Sequence, residues 1–376
     1  MKAWPKVALG DLFHVEKGRI GIMAATPGGF PLVTTAEELS SHVEPHFSGD
    51  AVCIPLISAT GHGHASLKRL HHITGDFAVG SIVAACVNRE PDRVTGRYAY
   101  YYLTACKDSV LIPLMQGTAN MSMKVADIAG GELPLPPIAA QQTIVARLDA
   151  LAEKTREVEA HLDAVERDAA HLLALRFRDV IANAPLRPMA EVAPLVRREQ
   201  FIDLDGSYPE LGIRSFGKGT FHKPPLPGSE VGTKRLYRIE PGDLLFSNVF
   251  AWEGAIAIAQ PTDAGRFGSH RFITCRATQG LATAEFLRYY FLSDDGMLKI
   301  GEASPGGAGR NRTLGLEKLM AIEVPVPSLA VQQTFDRLEA DVAALKASHA
   351  AIRQANAALI PATLERIFSS EVPAYA

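Results

Sequence analysis

Between Ile144 and Leu172 the apolar residues recur in alternating steps of four and three. Ile144, Leu148, Leu151, Val158, Leu162, Val165 and Leu172 keep the rhythm, and Thr155 and Ala169 fill the remaining places. That 3.5-residue period is a heptad seam: a narrow apolar stripe along a helix that a second helix must cover. Charged residues such as Arg147, Asp149, Glu153, Arg156 and Asp163 occupy the outward positions. Pro136–Pro137 precede the segment and Pro185 follows it, and proline interrupts helical hydrogen bonding. The prediction is a helix of about 45 residues, roughly 65 Å long.

The same spacing returns near the C-terminus in Phe335, Leu338, Val342, Leu345, Ile352 and Leu359. Here Ser328 is a plausible N-cap, His349 and Asn356 fall in the seam, and Pro361 is expected to kink or interrupt the last turns. Polar seam residues either fix register at some cost in stability or sit at a solvated edge; the sequence leaves both open. Narrow apolar stripes rarely hold a lone helix, so the two should pair. The chain leaves one globular segment along the first helix and returns along the second. The pair is therefore expected to be antiparallel, with the globular segments at opposite ends about an approximate two-fold axis.

The helices belong to a repeat. LPLPPIAAQQT at 133–143 matches VPVPSLAVQQT at 324–334, with Pro134/Pro325, Pro136/Pro327, Ala139/Ala330, Gln141/Gln332, Gln142/Gln333 and Thr143/Thr334 identical at an offset of 191. A second anchor, YYL at 101–103 against YFL at 290–292, lies at an offset of 189. Two anchors in one order at nearly one offset mark an internal duplication.

Residues 1–137 and 185–327 show short β-branched or aromatic runs bounded by Gly, Pro or Asp: 51–58, 77–87, 243–252, 254–260 and 270–277. Residues 283–301 are predicted as one helix beginning at a Thr. The fold class expected is α+β: two mixed α/β domains, 1–137 and 185–327, joined by two long antiparallel coiled-coil helices, 138–184 and 328–376, in a pseudo-two-fold repeat.

Composition sets limits. At 376 residues the chain exceeds one ordinary domain, and 47% hydrophobic residues can supply more than one core. No run of 18 apolar residues predicts a membrane helix, and the start lacks a signal pattern, so the cytoplasm is the expected location. Four cysteines without a C-x-x-C pair read as reduced thiols. A net charge of −3 does not advertise a nucleic-acid partner, but a reader whose non-specific affinity comes from another subunit needs no large charge.

Catalytic signatures are missing. Gly212-x-x-x-x-Gly217-Lys218 imitates a phosphate loop, but Gly219 stands where a hydroxyl should bind magnesium and Pro224, Pro225 and Pro227 follow where a helix should start. There is no Asn-Pro-Pro-aromatic string, G-x-S-x-G elbow or H-E-x-x-H pair.

The proline-rich turn, the A-x-Q-Q string and the long heptad helix, occurring twice half a chain apart, resemble the conserved regions of type I restriction–modification specificity subunits. Segments 16–38 and 54–72 look like one class of target recognition domain, and 210–225, 246–257, 268–276 and 304–314 look like another. The resemblance covers essentially the whole chain. It implies a phage-defence protein without a catalytic centre, whose two domains read the halves of a split, asymmetric double-stranded DNA target. It implies two methyltransferase subunits as partners, holding the S-adenosylmethionine that this chain would not bind, and separate translocase–nuclease (restriction) subunits. Gln141, Gln142, Gln332 and Gln333 would then be partner-docking residues. A DNA-reading subunit of another phage-defence or modification system would share the plan. A stand-alone hydrolase or nuclease would instead need clustered carboxylates or a metal.

Base readers need donor and acceptor forks, and glycine-rich loops let backbone approach phosphate. In the first half the candidates are His62, His64, Lys68, Arg69 and His71; the same loop reads equally as a solvated basic loop, or, with His72, as a metal site lacking a carboxylate or cysteine. In the second half they are Arg214, Lys218, His222, Lys223, His270, Arg271, Arg310, Asn311 and Arg312, against solvated loops. Asn248 is a weaker candidate, and Trp252 reads as core.

Overall fold

A computed structural model describes residues 4–21, 24–60, 63–306 and 312–368. The chain divides into two units, Met1–Asp163 with His349–Ala376, and Ala164–Ser348. Each holds one mixed α/β segment, the beginning of one long helix and the end of the other. The long helices are Ile138–Ile181 and Leu329–Phe368. In the first unit the start of the first helix packs on the end of the second, through Ile144, Val145 and Leu148 against Ile360, Leu364 and Phe368. In the second unit the end of the first helix meets the start of the second, through Leu173 and Phe177 against Phe335, Leu338 and Val342. Within each unit the two helix segments pack antiparallel, and the α+β class with two long helices expected from the sequence is the one observed.

The seam departs from a strict heptad. Leu148 and Leu162 are buried as expected, but Leu172 is 60% exposed and Leu173 and Phe177 are buried in its place. A helix of 3.6 residues per turn drifts against a 3.5 repeat, so over several turns the buried stripe moves on by one residue. Ile352 and Leu359 are likewise exposed, and His349 and Asn356 are buried. The Asn356 amide donates to the Thr155 carbonyl and to Glu159, at 3.1 and 3.0 Å, and Arg353 pairs with Glu159 and Asp163. Burial with partners decides between the two readings of the polar seam. Pro361 does not interrupt the second helix, which continues to Phe368; Leu364 and Phe368 pack beyond it and hold the last turns.

In the first unit an antiparallel sheet runs Phe13–Lys17, Val83–Asn88, Ala51–Pro55, His71–Ile73. Ala51–Pro55 is buried throughout because its alternating side chains enter two cores. Val52 and Ile54 pack with Leu9, Leu12 and Tyr98; Ala51 and Cys53 pack with Phe47, Phe77 and Val79. A second sheet orders Ser40–His42, Phe30–Val33, Asp76–Val79 and Phe47–Ser48. In the second unit a three-stranded sheet runs Ile256–Ile258, Leu244–Ser247, Phe272–Cys275. A five-stranded sheet orders Glu199–Gln200, Leu236–Arg238, Phe267–Ser269, Ser207–Ile213 and Thr220–Pro227. The proline-rich last strand takes an edge, the place where a missing N–H does no harm.

Each unit fixes its long helices with the same joint. Two-stranded pairs close it: Lys6–Ala8 with Glu132–Pro134, and Leu186–Pro188 with Glu323–Pro325. Beside them lies a short helix, Gly96–Val110 or Ala284–Leu292, N-capped by Thr95 or Thr283. The Gly96 N–H donates to Asp50 at 2.6 Å, and any Cβ there would collide with that carboxylate. The expected single helix at 283–301 breaks at Ser293, whose hydroxyl accepts from the Gly296 N–H and starts a second helix, Asp294–Ala303. Phe368 packs edge-on to Tyr98 and Tyr102, and Phe177, 191 residues earlier, packs on Phe286, Tyr289 and Phe335. Arg97 pairs with Asp149, and Arg288 with Glu339.

A fully buried glutamine closes each joint. Gln141 accepts from the Thr95 N–H at 3.1 Å and donates to the Arg93 and Pro136 carbonyls at 2.8 and 2.9 Å. Gln332 accepts from the Thr283 N–H at 3.0 Å and donates to the Leu281 and Pro327 carbonyls at 2.9 and 2.8 Å. The expectation that Gln141 and Gln332 dock a partner is therefore corrected: no face of either amide reaches the surface. Gln142 and Gln333 are exposed. Removing a buried amide leaves three backbone groups without partners, so Gln141→Ala or Gln332→Ala should each cost about 1–3 kcal/mol in urea unfolding. Gln142→Ala and Gln333→Ala should stay within about 0.5 kcal/mol.

Candidate nucleic-acid interface

In the second unit the strands Ser207–Ile213 and Thr220–Pro227 form a hairpin in which Ile213 pairs with Thr220. Its loop, residues 214–219, carries Arg214 and Lys218, both exposed. The Arg214 N–H donates to the Gly219 carbonyl at 2.9 Å and closes the loop. The Arg214 guanidinium stacks on Phe221 at 5.1 Å, and the Lys218 ammonium lies 5.7 Å from the Phe216 ring centre. A hairpin, with a strand after the loop instead of a helix, also removes the nucleotide-loop reading of Gly212 to Lys218.

Hydrogen bonds link this tip to the other candidates of the unit. Phe216 and Gly217 N–H groups donate to the carbonyls of Glu253 and Gly254, each at 2.8 Å. Trp252 in that turn is half-buried, its Nε1 donating to the Val249 carbonyl at 2.9 Å, and the Arg312 guanidinium stands 5.5 Å above its ring. Trp252 is thus a platform for a cation as well as part of the packing. Asn248 is a strut: its backbone N–H donates to the Arg271 carbonyl and its side-chain amide to the Leu314 carbonyl, both at 2.8 Å. The tip, the 251–254 turn, exposed His270 and Arg271 and exposed Arg312 are therefore tied together. Arg310 and Asn311 lie outside the described residues.

His222 and Lys223 fall on the edge strand. The His222 Nε2 is 2.9 Å from Asp263, a buried carboxylate that also accepts from Thr220 at 2.8 Å, so the ring is tethered. Lys218, His222, Asp263, Glu285 and Arg288 line a cleft of about 820 Å³. Nearby, burial raises the Asp336 carboxyl to about 6; the Thr283 hydroxyl and Arg288 oppose that shift, and Glu285 and Glu339 add to it.

The first unit places its candidates on the loop between Pro55 and His71. Hydroxyls order this loop: Ser58 and Thr60 donate to the His64 carbonyl at 2.7 and 3.0 Å, and Thr60 bonds Ser66 at 2.9 Å. The His64 and Lys68 side chains are exposed. Arg69 is paired with Glu37 at 2.9 Å. His71 is half-buried in its strand, and burial lowers its basicity, so it enters neutral solution uncharged. Its Nε2 is buried without a hydrogen-bond partner among the described residues, so the ring brings neither charge nor an exposed Nε2 to a phosphate. His72 is held by Asp50 at 2.7 Å; burial alone would raise that carboxyl, but the bonds from His72 and Gly96 outweigh it and hold it low. His62 lies outside the described residues. Among the described residues no group of three or more His, Cys, Asp or Glu is placed to hold a metal ion, and no helix is long and apolar enough to cross a membrane.

Two strand-and-helix units, each built on the same duplicated joint, make a fold that is also found in solved S subunits of type I restriction–modification systems. Residues 1–167 match the family model described as the type I restriction modification DNA specificity domain. Three solved structures share the fold over nearly their whole length. The type I S subunit of M. genitalium is 15% identical, with 99% of this chain and 97% of that one covered and a TM-score of 0.50. The HsdS subunit of Thermoanaerobacter tengcongensis is 17% identical, with 98% and 97% covered and a TM-score of 0.59. A chain from a study of complex assembly and conformational transition in the type I R-M system is 16% identical, with 98% of each covered and a TM-score of 0.63. No curated protein matches the sequence.

The Asp336 environment gives a signed pH dependence. The folded carboxyl holds its proton up to about pH 6 and the ordinary value is 3.8. The folded state therefore binds the proton more tightly, and stability falls as pH rises from about 4 to about 6. Asp336→Asn should stabilise the chain above pH 6 by on the order of 1 kcal/mol after solvent screening, with the gain vanishing toward pH 4. Thermal melts of both proteins across that range measure it.

Proposed function

We propose that this chain is the non-catalytic, sequence-reading subunit of a type I restriction–modification complex. Each unit reads one half of a split, asymmetric double-stranded DNA target. In the first unit His64, Lys68 and Arg69 face DNA, with the uncharged His71 on the adjoining strand behind them. In the second, Arg214, Lys218, His270, Arg271 and Arg312 do so, with His222 and Lys223 at the margin and Arg310 and Asn311 on the adjoining glycine-rich segment. The observation that carries this reading is the match of residues 1–167 to a DNA specificity domain, joined to a second unit built on the same buried glutamine joint with a different exposed surface.

The chemistry of the exposed groups supports it. Arg and Lys forks suit guanine edges and phosphates, and cations braced on aromatic rings lose little freedom on binding. The paired helices set the separation of the half-sites and, with Gln142 and Gln333 exposed at their starts, dock two methyltransferase subunits. Those subunits hold the S-adenosylmethionine and methylate adenine, restriction–translocase subunits join them, and the complex works in the cytoplasm.

Co-expression with the methyltransferase encoded beside it, followed by mapping of modified adenines across the host genome, tests the proposal. The expected result is one split, non-palindromic motif that appears only when both proteins are present. Two soluble, associated proteins that add no methylation would contradict it and favour a DNA reader from another modification or defence system.

A further inference from the structure

We infer that Phe216 is a base-stacking wedge of the second unit, a phenyl ring set to enter a base step of duplex DNA. This rests on the DNA-reading proposal above. Phe216 sits at the tip of the 207–227 hairpin and is 74% exposed. Its φ is 61°, and it is the one non-glycine residue in the left-handed region among the described residues. A bulky side chain there is strained and persists only where its surroundings over-determine it.

Those surroundings are on the page. Gly217 and Gly219, at φ 64° and 78°, turn the loop. Arg214 N–H to Gly219 carbonyl closes it, and the Phe216 and Gly217 N–H groups bond the 253–254 backbone. Ser215 donates to Glu253 at 3.1 Å. The bonds fix the backbone while the ring is left largely to solvent, and the Lys218 ammonium 5.7 Å from its centre is the one ring contact found among the described residues, a small return for an aromatic at this strained position. A glycine would make the same turn without strain.

The neighbours indicate what the ring meets. Lys218 lies beside the ring, Arg214 in the same loop stacks on Phe221, and Arg312 stands over Trp252 in the turn that anchors the loop. An apolar ring among the cations of one loop and its anchoring turn matches a base step and its phosphates: the ring takes the bases and the cations take the backbone.

The test uses the full chain in complex with its methyltransferase, and duplexes carrying 2-aminopurine at successive positions of the mapped second half-site. Wild type should raise the fluorescence of one position, reporting an unstacked step. Phe216→Gly should lose that rise and bind about tenfold more weakly, yet melt no lower than wild type because the strain is relieved; Phe216→Trp should retain the rise. Unchanged affinity and fluorescence in Phe216→Gly, with specific binding intact, would overturn the inference and leave the DNA-reading proposal standing. Loss of methyltransferase association in Phe216→Gly would also overturn it, by showing that the ring docks on protein. Absence of specific DNA binding by wild type would overturn the proposal and this inference with it.

Discussion

Two buried carboxamides hold this protein together. A glutamine side chain offers one acceptor and two donors, and Gln141 and Gln332 spend all three on backbone groups of their own unit. One partner is the N–H of the residue that caps the short helix; the others are carbonyls at the proline-rich turn and just before the cap. The amide thus locks the start of a long helix, the turn before it and the short helix beside it into one piece. In a desolvated site each of those backbone groups would be costly to leave unpaired. Within each unit the start of the long helix is fixed by these bonds.

Around that joint the duplication is mechanical, and away from it the units diverge. Thr95 and Thr283, Arg97–Asp149 and Arg288–Glu339, and Phe368 and Phe177 repeat the joint in kind. Beyond the two-stranded pairs of the joint the sheets do not repeat: among the described residues the first unit has two four-stranded sheets, the second a three-stranded and a five-stranded one that ends in the 207–227 hairpin. A repeated joint thus carries two different sets of sheets, which is what the two-reader proposal requires.

Much of the plan was legible in the sequence because its determinants are local. Heptad spacing, flanking prolines and the repeated A-x-Q-Q string specify helices, their limits and the duplication. The misreadings have physical causes. A strict 3.5 repeat places Leu172 in the seam, but a straight helix has drifted out of phase by that point and buries Leu173 instead. The repeated glutamines were legible as important, but a string does not say which way a side chain faces, so the buried pair and the exposed pair looked alike. The 207–227 hairpin was missed because prolines at 224, 225 and 227 read as loop, and an edge strand tolerates them only in a tertiary context. Phe216 left no local signal, since its strain and exposure depend on hydrogen bonds to residues nearly 40 positions away.

The central claim is that two different readers work independently on one repeated joint. The most direct test is the methylation motif of the Lys218→Ala/Arg312→Ala double variant, co-expressed with its methyltransferase. The account predicts that the half of the motif read by the second unit becomes degenerate and the other half is unchanged. If both halves lost definition together, the two units would not be separate readers and the account would be wrong.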